Sequence, residues 1–156
     1  MKATTSTKYE MLATERTPSH STGYPKEISI EVESNKKVFF CDTYALIELI
    51  GGNKDYKEYS NHILVTSDFN LMELYYSLLK DYGKEAAERY FEEWEEFGVE
   101  IPRYIIKKCM EIKLANKKEK LSYVDCIGYA YALETNIFFL TGDSKFKNKI
   151  GVEFVK

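Results

Sequence analysis

Histidine is nearly absent: two residues, His20 and His62, in a chain of 156. His20 lies in a polar stretch, so a Cys/His zinc site or a histidine-based nucleophile relay is poorly supplied. Cysteine is scarce too. Cys41, Cys109 and Cys126 form no Cys-x-x-Cys pair and sit in apolar or amphipathic stretches, the pattern of reduced thiols packed in a core. No apolar run approaches the ~20 residues that span a bilayer. No apolar segment follows the first lysine, so no secretory signal is expected and a cytoplasmic location is. A strong excess of positive charge is also lacking. Net charge is −3, which excludes a generic polyanion binder. Any catalysis must therefore rest on carboxylates, with a cation to collect them.

What is present is a set of acids in apolar settings. Asp42 ends Val38-Phe39-Phe40-Cys41, and Asp143 follows Ile137-Phe138-Phe139-Leu140-Thr141-Gly142. Asp125 is the only charge between Leu121 and Leu133. Such runs suit buried strands and a buried helix, where a carboxylate loses water and must be compensated. Three in one small domain point to a divalent cation and a metal-dependent enzyme. Each also has an ordinary role open to it. Asp42 can cap a helix starting at Thr43. Asp125 can complete a capping box with Ser122, and Asp143 can serve as a turn aspartate. Their conjunction at neighbouring ends is what favours function. Glu73 shares a polar helix face with Ser77 and Lys80, and periodicity alone makes it a solvated glutamate.

The chain is long enough for one domain with a real core. Residues 1–26 are rich in Ser and Thr and show no sustained period, as expected of a flexible extension. Glu27 to Glu33 alternates strictly, which suits an edge or half-buried strand. The compact domain is expected over 36–156, with 1–35 as an extension. Within it, 37–41 reads as a buried strand and 43–50 as a helix stopped by Gly51-Gly52. His62 to Thr66 is a second extended run. Helices are expected over Asp68–Tyr82, over Lys84–Phe97, and from Pro102 to about Lys118. Ser122 starts the next helix, and 137–141 and 151–155 are the last strands. Alternating strands and helices imply an α/β fold, a mostly parallel sheet covered on both faces. Ligands bind beyond the carboxyl ends of such strands, where Asp42 and Asp143 fall.

Four segments together carry a resemblance. Val38 to Ala45, Asn70-Leu71-Met72-Glu73-Leu74, Leu121-Ser122-Tyr123-Val124-Asp125 and Phe139 to Phe146 resemble, in order and spacing, the motifs of PIN-domain nucleases. The nearest likeness is to VapC-type toxins of toxin–antitoxin pairs. It covers about residues 36–156; toxins of this type usually start near the first strand, so the extension is unexplained. The resemblance implies a PIN-like three-layer fold and hydrolysis of RNA. It makes Asp42, Glu73, Asp125 and Asp143 the catalytic acids and ligands of magnesium or manganese. Thr141 matches a site hydroxyl, and Thr43 and Ser122 lie beside the acids. A small antitoxin protein and a homodimer are the implied partners. Hard oxygen ligands suit those two metals over zinc. Lys145, Lys147 and Lys149 follow Asp143 as candidates for steering RNA phosphates, or as a solvated face. Two alternatives keep the family: a housekeeping RNA- or DNA-processing nuclease, and a catalytically silent module that binds RNA or protein. A haloacid-dehalogenase phosphatase would want Asp-x-Asp where Asp42-Thr43-Tyr44 stands. A receiver domain would want an adjacent acid pair, which Cys41-Asp42 is not. Glu92, Glu93, Glu95 and Glu96 read as a solvated face, with Trp94 among them as core or groove lining.

Overall fold

The structure is a computed structural model and describes residues 35–156. The expected extension and the alternating run 27–33 lie outside the described residues. Val38–Cys41 forms β1 and leads through Asp42 into helix α1, Thr43–Ile50. Ile63–Ser67 is β2, and Ser67 caps α2, Asp68–Tyr82. Helix α3 spans Lys84–Trp94, and Gly98–Val99 adds a short strand, β3. Helices α4, Arg103–Ala115, and α5, Tyr123–Glu134, follow. Strands β4, Phe138–Thr141, and β5, Val152–Phe154, complete the fold. The sheet order is β3-β2-β1-β4-β5, and every pairing is parallel. Among the described residues no helix is long and apolar enough to cross a membrane.

Strand pleating sends successive side chains to opposite faces, so apolar runs build two cores. Phe39, Cys41, Leu64 and Leu140 pack with Leu46 of α1, Leu71 and Leu74 of α2, and Ala87 and Trp94 of α3. Phe40, Val65 and Phe139 pack with Ile105 and Cys109 of α4 and Ile127 and Ala130 of α5. All three cysteines are buried and free, as the sequence implies. Helix α5 crosses the sheet closely at Gly128, where a Cβ would lie 2.5 Å from Phe40 Cε1. Even alanine there would force the helix or the ring to move.

Boundaries differ from expectation where polar side chains intervene. The second strand starts after His62 and ends on Ser67. Pro102 stands at the N-cap of α4 rather than inside its first turn. That helix stops at Ala115, because the Asn116 side chain donates to the Ile112 carbonyl at 2.7 Å. A 3-10 turn, Lys117–Glu119, follows. The helix expected to reach Phe97 gives way after Trp94 to a 3-10 turn, Glu95–Phe97. Trp94 is core, while its four glutamate neighbours are exposed. Lys54–Asn61 is a 3-10 helix in a segment assigned no element from sequence. Its signal was Tyr56 and Tyr59, three apart and both buried, which matches three residues per turn. Tyr56 donates to the Val155 carbonyl at 2.9 Å and Tyr59 to Glu153 at 3.0 Å. The segment is thereby fastened beside β5.

Candidate active site

The chain runs from β1 outward through β2 and β3 on one side, and places β4 and β5 on the other. The order therefore reverses between β1 and β4. In open parallel sheets this switch point opens a crevice at the carboxyl ends of the strands. Asp42 and Thr141 stand at those two ends.

Asp42 is 2% exposed. One carboxylate oxygen accepts the Ala45 amide at 2.7 Å, capping α1. The other accepts the Thr141 hydroxyl. Thr141 in turn accepts the Asp143 amide at 3.0 Å, so one hydroxyl sets both acids. Burial above all, then the negative fields of Asp125 and Asp143, push the Asp42 carboxyl up to about 7, against the lowering effect of its hydrogen bonds. The loop between Thr141 and Asp143 is tightly packed. A Cβ on Gly142 would lie 2.2 Å from Tyr44 Cε1, so only glycine lets the chain pass under that ring.

Glu73 is half-buried, not freely solvated. The Thr43 hydroxyl donates to its Oε2 at 2.8 Å. Thr43 accepts from Asn70 Nδ2 at 3.3 Å, and Asn70 Oδ1 accepts from Ser67 at 2.7 Å. Burial, followed by the Asp125 charge, raises the Glu73 carboxyl. Asn70 is a supporting residue that sequence reasoning did not single out. It is fully buried in the same helix as Leu71, Leu74 and Leu78. An amide on the apolar side of an amphipathic helix was the available signal, since buried polar groups need partners.

Asp125 completes the capping box: its Oδ2 accepts the Ser122 amide at 3.0 Å, and its own amide donates to Ser122 Oγ at 2.9 Å. The Asp125 charge also acts to raise both the Asp42 and the Glu73 carboxyls. The three candidate lysines diverge. Lys145 Nζ lies 3.5 Å from Asp143 Oδ2. Lys147 lies over the Phe154 ring. Lys149 pairs with Glu119 at 2.7 Å and with Asn116 at 2.7 Å.

The donor set suits a hard divalent cation: carboxylate oxygens, with no thiolate or imidazole among them. Asp125 Oδ1 and Glu73 Oε1 carry no hydrogen bond among the described residues, so each acid keeps an oxygen for another partner. The ring is nevertheless open. Among the described residues no three His, Cys, Asp or Glu side chains are gathered closely enough to enclose a metal as they stand.

A family model described as the PIN domain matches residues 39–151. Comparison with curated protein sequences finds no significant match. Among solved structures, a toxin–antitoxin complex from Klebsiella pneumoniae aligns at 20% identity, covering 76% of this chain and 96% of that one, TM-score 0.58. The sarcin–ricin-loop-cleaving toxin VapC20 of Mycobacterium tuberculosis aligns at 19% identity over 76% and 99%, TM-score 0.62. VapBC2 of Rickettsia felis, bound to a promoter DNA fragment, aligns at 15% identity over 76% and 99%, TM-score 0.63. At these identities the likeness is one of fold, and it agrees with the family match. The parallel sheet, its switch point and the matched span together identify the chain as a member of the PIN-domain family.

Proposed function

We propose that the chain is a metal-dependent endoribonuclease and the toxin of a toxin–antitoxin pair. The observation that carries this reading is Asp42, a carboxylate held almost without solvent access at the switch point, in the field of two further acids. Such a group is costly to ionise unless positive charge offsets it. Asp42, Glu73, Asp125 and Asp143 would hold magnesium or manganese. When bound, the cation would supply positive charge to the phosphodiester, a more acidic water and stabilisation of the leaving oxygen.

The chain's own groups do the positioning. Thr141 fixes the Asp42 carboxylate and the Asp143 backbone together. Thr43 and Asn70 orient Glu73. Ser122 orients Asp125. Lys145 carries an ammonium beside Asp143, placed to meet a phosphate oxygen.

The toxin reading is supported by the fold relatives that are toxins or toxin–antitoxin complexes. An exposed apolar stripe supports it as well. Phe69, Met72, Tyr76 and Leu79 recur at three- and four-residue spacing on α2 and are exposed, a pattern suited to a partner helix or a second copy. An antitoxin and a homodimer are the partners proposed.

The test is cleavage of single-stranded RNA by the purified chain with magnesium or manganese, with the cut ends sequenced. Defined internal cuts that vanish in EDTA are expected. Undiminished cleavage in EDTA would contradict the carboxylate–metal reading.

A further inference from the structure

Residues 113–123 comprise the end of α4, its connection to α5 and the first residue of α5, two positions before Asp125. They hold Lys113, Lys117, Lys118 and Lys120, with Glu119 as the only acid. That acid is already neutralised. Lys149, whose side chain is 16% exposed, lies 2.7 Å from Glu119 Oε2 and anchors the turn further through Asn116. Lys117, Lys118 and Lys120 are exposed, and among the described residues none of them pairs with an acid. The junction therefore carries a local positive excess on a chain of net charge −3.

Beside these charges lies a cavity of about 300 Å³ walled by Met110, Leu114, Leu121 and Tyr123. Tyr123 is the first residue of α5 and is 62% exposed, although a helix start next to a core position could have buried it. Lys113 Nζ lies 4.3 Å from the centre of its ring and also donates to the Leu121 carbonyl. The ring thus meets a cation at one side and remains largely exposed. An exposed ring with an apolar wall and surrounding ammonium groups matches the needs of an unpaired nucleobase flanked by phosphates. An acidic peptide would use the lysines but leave the ring and cavity without a role.

We propose that the α4–α5 junction is a nucleotide subsite for single-stranded RNA, where Tyr123 stacks a base and Lys117, Lys118 and Lys120 bind the flanking phosphates. This rests on the ribonuclease reading and names a surface of the chain that the substrate strand would contact.

The experiment measures binding of a short labelled single-stranded RNA to the full chain carrying Asp42→Asn, across a salt series. Tyr123→Ala should weaken binding about tenfold, within the range for one stacked base, and Tyr123→Phe should restore it. The triple change Lys117→Ala, Lys118→Ala and Lys120→Ala should flatten the salt dependence by about two in logarithmic slope, at ~0.7 per phosphate contact on a single strand. With Asp42 intact, these changes should raise KM more than they lower kcat. All four side chains are exposed, so unfolding temperatures should hold. Wild-type RNA affinity and KM in both variants would overturn the subsite while leaving the nuclease reading intact. Loss of affinity only for a glutamate-rich peptide would assign the patch to an acidic protein and overturn it equally. A wild-type chain that neither binds nor cuts single-stranded RNA would remove both readings.

Discussion

The Thr43 hydroxyl donates to Glu73 Oε2 at 2.8 Å and so ties the start of α1 to the second turn of α2. Through Asn70 the same hydroxyl is fixed to the Ser67 cap at the end of β2. Glu73 is thereby held toward the carboxyl end of β1 rather than released to solvent. Thr43→Ala should lower RNA cleavage by about 10–100-fold, the range for groups that orient a metal ligand. Glu73→Gln should lower it by at least as much, since a neutral amide is a poor cation ligand. Single-turnover rates at saturating RNA check both. A wild-type rate in Glu73→Gln would return that residue to the solvated face.

Asp42 links the site to pH. Its folded pKa, about 7, lies above the ordinary aspartate value of 3.8. The folded state therefore holds this proton more tightly than the unfolded chain. Its contribution to stability is whole below about pH 3.8 and is lost as pH rises through about 7, by an amount on the order of a few kcal/mol. Asn at this position keeps an acceptor for the Ala45 amide and has no charge to desolvate. In chelator, Asp42→Asn should match or trail wild type at pH 4 and exceed it at pH 8. Unfolding of both proteins in denaturant across this range checks the sign. A constant difference would show that Asp42 does not titrate there.

Gly142 and Tyr44 form a steric pair. Gly142→Ala should cost about 1–3 kcal/mol through overpacking, and should also slow cleavage because the same loop carries Thr141 and Asp143. Adding Tyr44→Ala should recover part of that loss, giving a coupling energy in a double-mutant cycle. Additive costs would show that the loop yields without touching the ring.

Strand and helix order, the buried cysteines and the placement of Asp42 and Asp143 were legible because each depends on local apolar runs. Asp125 was legible for the same reason, together with its cap. Glu73 was not. Its hydrogen-bond partner is Thr43, thirty positions away, and helical periodicity carries no information about a hydroxyl on another element. The family resemblance alone proposes it as a site residue. Lys147 and Lys149 illustrate the converse. Their spacing placed them near Asp143, but one lies over Phe154 and the other pairs with Glu119. The 3-10 helix at Lys54–Asn61 went unassigned because its sequence is polar apart from its two tyrosines.

Metal-linked unfolding, measured on wild type and Asp42→Asn with EDTA and with excess manganese, tests the carboxylate centre most directly. A ligand that binds only the folded chain stabilises it by about 2.7 kcal/mol at a hundredfold excess over Kd. Manganese should raise the unfolding temperature of wild type by several degrees and that of Asp42→Asn far less, in step with loss of RNA cleavage by the variant. An equal rise in both proteins, or none in either, would contradict a cation held by Asp42 and its neighbouring acids.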